Sequence, residues 1–223
     1  EVRMAEQLKK DYPLHNYRRL APILNPLRAV KQPEELEALK KACDITAKAF
    51  RRAKAAVKPG MYEYEVEAEL IYEMMRNGAS GHSFAPICAS GADTCILHYI
   101  KNDKIMQDGD MLLMDFGAEY ANYAGDCSRT IPVNGKFTPR QQAVYNAVLS
   151  IYKDTIPKFT PGMTIHKIND FVFKRMDEEL IKLGLYTEED VKKQDPSKPL
   201  FKKYYMHNTS HFIGLDVHDV GER

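Results

Sequence analysis

The chain has 223 residues, of which 44% are hydrophobic and 28% are charged, as in an ordinary globular domain. Its 32 lysines and arginines nearly balance its 31 acidic residues, so it lacks the basic field that binding to nucleic acid or to an anionic membrane requires. No apolar run approaches the roughly 20 residues needed to span a bilayer. We therefore expect neither nucleic acid nor a membrane as a partner.

Residues 1–31 mix charges, prolines and aromatic residues without a regular period, which predicts an arm or linker. The first residues, Glu1-Val2-Arg3-Met4, are charged and lack the apolar core of a secretory signal peptide. The cysteines include no C-x-x-C pair, which favours reduced, buried thiols; they are Cys43, Cys88, Cys95 and Cys127. We therefore expect a cytoplasmic location.

Two amphipathic helices are predicted next. Apolar residues recur at helical spacing from Pro33, which stands where a helix tolerates proline, to Val57. Lys58-Pro59-Gly60 breaks this helix, and a second helix runs through Met74 to a point near Gly78.

A pair of strands is predicted in the middle of the chain. The apolar run Met111-Leu112-Leu113-Met114 leads into Asp115, and residues 127–133 form a second strand candidate. The segment between them contains residues suited to a hairpin connection, namely Tyr120, Asn122 and Gly125. The two strands are therefore expected to pair directly.

The order of elements then repeats. Thr138 can cap a new helix, and Gln141 can complete a capping box three residues later. After this helix Pro161-Gly162-Met163 repeats the earlier Pro59-Gly60-Met61 and leads into another amphipathic helix. We interpret the repeat as an internal duplication, although chance also supplies three-residue matches. On this interpretation the second copy is unfinished, because it lacks a counterpart of the hairpin at 111–133.

Asp115 and Asp126 are the first candidates for chemistry. In a hairpin whose strands pair directly, their side chains can face each other within metal-bridging distance. A charge at the end of a buried apolar strand is costly unless it is paired or bound to a cation. The alternative is that each is an ordinary turn aspartate or pairs with Arg129.

Three histidines crowd one short segment, namely His207, His211 and His218. His207 and His211 would share one face if this run is extended. Imidazole together with carboxylate suits divalent transition metals such as manganese, cobalt, iron or zinc. His98 is a fourth, weaker candidate. The alternative is that these histidines are structural residues in a metal-free α/β domain.

Two long motifs closely resemble the pita-bread metallopeptidases of the M24 type. The first runs from Met114-Asp115-Phe116-Gly117 through Tyr123-Ala124-Gly125-Asp126 to Lys136-Phe137. The second, Ser210-His211-Phe212-Ile213-Gly214-Leu215-Asp216-Val217-His218-Asp219, is similar to the branch of Xaa-Pro aminopeptidases and prolidases. The resemblance implies an α/β (α+β) pita-bread fold over 32–223, with a pseudo-twofold repeat of helices and antiparallel sheet.

The resemblance also implies a site with two divalent ions, usually Mn²⁺. The matched metal ligands are Asp115, Asp126 and His211, and the matched catalytic histidines, which line the pocket, are His98, His207 and His218. The family's two remaining ligands are glutamates expected past the last residue, since Glu222 is too close to His211 to be either one. We therefore expect a truncated second half, an inactive chain, and residues 1–31 as the connection from an absent N-terminal domain.

The expected activity of the intact protein is metal-dependent removal of the first residue from peptides with proline in second position. Within the family, a dipeptidase specific for Xaa-Pro is the nearest alternative. A non-enzymatic binding module with this fold is the alternative from another class. The expected partners are a peptide substrate and further copies of the same chain, in a dimer or larger oligomer.

Overall fold

A computed structural model describes residues 2–221, so the expectation for Glu222 concerns a residue outside the described part of the chain. The described residues form seven helices and six strands. In chain order these are α1 (Val2–Asp11), α2 (Ala21–Ala29), α3 (Pro33–Ala56), α4 (Glu63–Arg76), β1 (Gly81–His82), β2 (Ile87–Ser90), β3 (Met111–Phe116), β4 (Ala118–Tyr120), β5 (Tyr123–Ala124), β6 (Cys127–Pro132), α5 (Pro139–Thr155), α6 (Ile165–Lys182) and α7 (Glu188–Lys193).

The first helix pair, α3 and α4, carries the main core and matches the predicted helices. Gln32 and Glu35 form a capping box at the start of α3, and Pro33 occupies its first turn. One face of each helix is buried against the other and against the strands. The core side chains of this interface are Ile45, Ala49, Ala53, Val66, Leu70 and Met74.

The strands form two small antiparallel sheets, ordered β2-β3-β6 and β1-β4-β5. β3 and β6 pair directly, with Asp115 opposite Ser128, which confirms the predicted pairing. The connection between them is itself a hairpin, β4 and β5, in the second sheet. Its two central residues, Ala121 and Asn122, have φ values of 51° and 66°, as a tight hairpin turn with the twist of its strands requires.

The second helix pair, α5 and α6, repeats the first. Thr138 accepts from the amide of Gln141 and the reciprocal bond is present, so the predicted capping box is confirmed. When the two Pro-Gly-Met triplets are aligned, Ile168 and Val172 of α6 fall opposite Val66 and Leu70 of α4, and all four side chains are buried. This correspondence supports the duplication.

One face of α5 differs from its counterpart. The same alignment places Val144, Val148 and Tyr152 opposite Ala42, Thr46 and Phe50 of α3. Val148 is 55% exposed, whereas Thr46 is 2% exposed beneath the second sheet. No strand follows Pro132 within residues 2–221, so this apolar face of α5 has no sheet against it there.

Residues 2–31, which lie in the predicted arm or linker, contain α1 and α2, and neither helix has a buried residue. One detail of the sequence prediction is corrected. The thiols are not all buried: Cys88 is, but Cys43 and Cys95 are exposed, since they lie on the solvent side of α3 and in a short 3₁₀ turn. Among the described helices none is long and apolar enough to cross a bilayer.

Candidate metal centre and active site

The two candidate carboxylates lie where the connection leaves β3 and enters β6. Along β3 buried and half-buried residues alternate, so Asp115 points away from the core that contains Met114 and Phe116. The Ser128 hydroxyl donates to Asp115 Oδ1 at 2.9 Å. Asp126 comes directly before β6, and both carboxylates line the same pocket.

Two glycines bring these carboxylates together. A Cβ on Gly117 would lie 1.8 Å from the carbonyl oxygen of Gly125, and a Cβ on Gly125 would lie 2.5 Å from Thr46 Oγ1. The chain therefore crosses itself in direct backbone contact at this point, which only glycine permits. The Gly125 amide also donates to the carbonyl of Ala118 at 2.8 Å.

His211 reaches this pair from a distant part of the chain. Its Nε2 lies 2.9 Å from Asp126 Oδ2, and its Nδ1 lies 2.9 Å from the carbonyl oxygen of Phe212. A carbonyl acceptor at Nδ1 is the usual second partner of a metal-binding histidine, because it fixes the tautomer and turns Nε2 towards the ion. The ring of His218 stacks on His211, with centroids 3.9 Å apart.

The pocket has a volume of about 290 Å³. Its polar wall contains His98, Asp115, Asp126 and His218, and its apolar wall contains Phe84, Ala85, Ile87, Ile100 and Val217. Four of the six predicted site residues thus line one pocket, and His211 contacts it through Asp126.

His207 is the predicted site residue that lies away from the others. It is not among the residues lining the pocket; its ring packs against Tyr205 at 4.8 Å, and its Nδ1 lies 2.9 Å from the carbonyl of Asn208. The predicted extended run from His207 to His211 is wrong, because the chain bends at His207 and Thr209, so the two histidines lack the common face that an extended run would give them. Instead the amide of Thr209 donates to the side chain of Asn169 on α6.

The electrostatics of the pocket favour a bound cation. Burial raises the pKa of Asp115 above its ordinary value, and the nearby charge of Asp126 raises it further, against a hydrogen bond from Ser128. A carboxylate withdrawn from water beside a second carboxylate is stabilised by a positive ion. Carboxylate and imidazole donors fit a divalent transition metal. In residues 2–221, no three His, Cys, Asp or Glu side chains already surround a common metal position.

The residues that hold the loop of His98 could not be predicted from the sequence. Tyr99, the next residue, is buried, and its hydroxyl donates to the buried carboxylate of Glu63 at 2.7 Å. Oδ1 of Asn102 accepts a hydrogen bond from the amide of Cys88. No local pattern in Ile96-Leu97-His98-Tyr99-Ile100 predicts that His98 and Ile100 line the pocket while Tyr99 is buried against Glu63.

Comparisons with known proteins agree with this geometry. The model of metallopeptidase family M24 matches residues 37–223. The Xaa-Pro aminopeptidase of Escherichia coli (strain K12) is 42% identical over 202 residues, which cover 90% of this chain and 45% of that protein.

Solved structures agree with the fold. A putative aminopeptidase P from Bacillus anthracis superimposes with a TM-score of 0.89 at 35% identity, over 99% of this chain and 51% of that one. Zinc-substituted E. coli aminopeptidase P in complex with product gives a TM-score of 0.82 at 41% identity, over 91% of this chain and 46% of that one. The chain thus spans about half the length of the proteins it matches, and the pita-bread fold is confirmed for this part. The chain belongs to metallopeptidase family M24.

Proposed function

We propose that this chain supplies part of the active site of a metal-dependent aminopeptidase that removes the first residue from peptides with proline in second position. The observation that carries the proposal is the convergence of Asp115, Asp126 and His211 beside a pocket that also contains His98 and His218. The likeness to an Xaa-Pro aminopeptidase over 90% of the chain supports the substrate class.

Asp115, Asp126 and His211 are the residues that would hold metal, and Mn²⁺ is the expected ion. When bound, divalent ions there would supply Lewis acidity, which lowers the pKa of water and polarises the scissile carbonyl. Asp126 Oδ2 and His211 Nε2 lie 2.9 Å apart, so these two side chains already have the proximity that holding one ion between them would require.

The chain's other residues bind and orient the substrate. His218 borders the pocket and would donate a hydrogen bond to the carbonyl oxygen as charge develops on it. We assign this role to His218 and not to His207, because His207 is not among the residues that line the pocket. His98 lines the same pocket, where it would contact the peptide. Phe84, Ile100 and Val217 exclude water and contact the uncharged parts of the substrate.

The test is Mn²⁺-dependent release of the first residue from an Xaa-Pro-Yaa tripeptide and from an Xaa-Pro dipeptide. It is run on the 223-residue chain and on the whole product of its gene, because the matched proteins are about twice as long. The expected result is cleavage of the tripeptide by the whole gene product and no cleavage by the 223-residue chain. Cleavage of the dipeptide alone would make the protein a dipeptidase, and a protein that cleaves neither and binds no metal would be a non-enzymatic binding module.

Substitution of one ligand tests the metal site directly. We expect Asp126→Asn to abolish tight binding of at least one Mn²⁺, measured by titration calorimetry on the whole gene product. Asp170→Asn is the matched control, because Asp170 is an exposed aspartate on α6 away from the pocket. Unchanged metal content in Asp126→Asn would mean that the carboxylate is structural.

Assembly and location also remain proposals. We expect a homo-oligomer, to be measured by light scattering on the gene product, and a cytoplasmic location, to be measured by cell fractionation.

A further inference from the structure

The segment that carries two of the site histidines has little regular structure of its own. We call residues 207–220 the histidine loop; it contains no helix and no strand. Its backbone is held at few points: the amide of Ala124 donates to the carbonyl of Gly214, and within the loop the amide of Asp219 donates to the carbonyl of Phe212, both at 2.9 Å. The second bond closes the loop, because it ties the residue after His211 to the residue after His218.

Besides these bonds and the bond from the Thr209 amide to Asn169, the N-terminal segment anchors the loop. Lys31 Nζ donates to Asp219 Oδ2 at 2.9 Å, and Arg28 Nη2 donates to Asp219 Oδ1 at 2.5 Å. The same Arg28 nitrogen donates to Asp216 at 2.6 Å. These pairs join residues 188 or 191 positions apart in the chain, so they are tertiary contacts between the predicted linker and the histidine loop.

The burial of Asp219 makes these pairs more consequential than ordinary surface ion pairs. Its side chain is 1% exposed, and a Cβ on Gly214 would lie 2.0 Å from its Oδ2, so the loop wraps closely around the carboxylate. Burial alone would raise the pKa of Asp219, but hydrogen bonds from Lys31 and Val220 and the charges of Lys31 and Arg28 lower it below its ordinary value. A buried carboxylate of this kind is costly once its cations are removed.

We propose that Arg28 and Lys31 act through Asp219 as positioning residues for the candidate active site. They hold the histidine loop closed, so that His211 keeps its distance to the carboxylates and His218 keeps its place in the pocket wall. Both cations precede residue 37, where the match to the family model begins. The effect on turnover rests on the proposed function, whereas the effect on loop geometry does not.

The first experiment measures geometry without metal or substrate. The chain is labelled at its seven histidines, and the ring resonances of His211 and His218 are followed by NMR in the wild type and in Lys31→Met, Arg28→Met and the double variant. Because the two rings stack at 3.9 Å, ring-current shifts report their relative position. We expect these resonances to move in every variant, and to move most in the double variant.

Two further variants separate positioning from general stability. Arg18→Met removes an exposed cation of the same segment that has no ion pair among residues 2–221, and it should leave the ring resonances of the histidine loop unchanged. Lys31→Arg keeps a cation beside Asp219 and should restore the wild-type resonances. If the double variant fails to fold, the NMR comparison uses Lys31→Met instead. In that variant Arg28 still forms an ion pair with Asp219.

The second experiment measures kinetics on the whole gene product with Mn²⁺ and an Xaa-Pro-Yaa tripeptide. A displaced catalytic group lowers turnover more than binding, so we expect kcat to fall about tenfold or more in the double variant, with KM changed less than about threefold. Variants that lose thermal stability but keep both the wild-type ring resonances and the wild-type kcat would overturn the proposal. A wild type that cleaves no peptide would refute the proposed function, and the NMR comparison would then decide this inference alone.

Discussion

Glu63 is a fully buried carboxylate on which four donors converge, and its replacement gives a sharp test of the packing that supports His98. Oε1 accepts from the amide and the hydroxyl of Ser90, at 2.7 and 2.6 Å. Oε2 accepts from the hydroxyl of Tyr99 at 2.7 Å and from the amide of Lys104 at 3.1 Å. One side chain at the start of α4 thus ties the end of β2 to two points, Tyr99 and Lys104, within the loop that carries His98.

The expected cost follows from these four bonds. Glu63→Ala leaves four donors without their acceptor, and each costs about 1–3 kcal/mol in stability if it finds no other partner. Because water entering the space left by the side chain satisfies some of them, we expect a loss of about 3–5 kcal/mol in the free energy of unfolding.

The isosteric change Glu63→Gln should cost less. The amide oxygen can still accept from both Ser90 groups, and the hydroxyl of Tyr99 can rotate to accept from the amide nitrogen. The amide of Lys104 cannot rotate, so one hydrogen bond becomes a contact between two donors. We expect about 1–3 kcal/mol.

The assay is urea unfolding of the 223-residue chain, followed by circular dichroism. Glu37→Gln is the matched control, because Glu37 is an exposed glutamate of α3 that pairs with an exposed lysine, and its loss should be within the error of the measurement. A loss below about 1 kcal/mol for Glu63→Ala would refute the reasoning, since the buried donors would then have found equally good partners elsewhere.

Three further predictions concern the hairpin and its surroundings. Gly117→Ala should destabilise the fold by more than about 3 kcal/mol in urea unfolding, because its Cβ would collide with the backbone of Gly125. Thr46→Val should cost about 1–3 kcal/mol, because it removes the hydroxyl that accepts from the second sheet, whereas Val148→Thr at the matching exposed position should be nearly neutral. In metal-free protein the raised pKa of Asp115 means that the folded state holds this proton more firmly than the unfolded chain. Stability should therefore fall as pH rises from about 4 through the raised value, and Asp115→Asn should remove that slope in urea titrations at several pH values.

Each of these predictions has a control. Gly81→Ala places a Cβ in open space and should cost far less than the change at Gly117. Equal losses for Thr46→Val and Val148→Thr would contradict the difference in burial between the two helix pairs. A pH slope that persists in Asp115→Asn would assign the effect to another carboxylate.

Much of the architecture could be predicted from local patterns. The helix that begins at Pro33, the break at Lys58-Pro59-Gly60 and the capping box of Thr138 all follow from short-range stereochemistry, which tertiary contacts reinforce. The pairing of β3 with β6 followed from two apolar runs and a turn-rich segment between them.

The remaining features depend on contacts between distant residues. No local pattern shows that Arg28 and Lys31 meet Asp219, because the ion pairs form only once the histidine loop has folded back. Likewise, Glu63 reads as an ordinary acidic residue in the first turn of a helix, where such residues favour the helix dipole, and only the loop folded over it makes it buried. An extended run would give His207 and His211 one face, but the chain bends at His207 and Thr209, and local sequence does not reveal these bends.

The glycine crossing has a consequence for protein engineering. The separation of the two carboxylates is set by main-chain contact between Gly117 and Gly125, not by side chains that can repack. Libraries that vary only the pocket walls, such as Phe84 or Ile100, can therefore alter what the pocket accepts while the distance between Asp115 and Asp126 stays constant. To change the ion radius that the proposed metal site would accept, a designer would have to lengthen or shorten the β4–β5 hairpin itself.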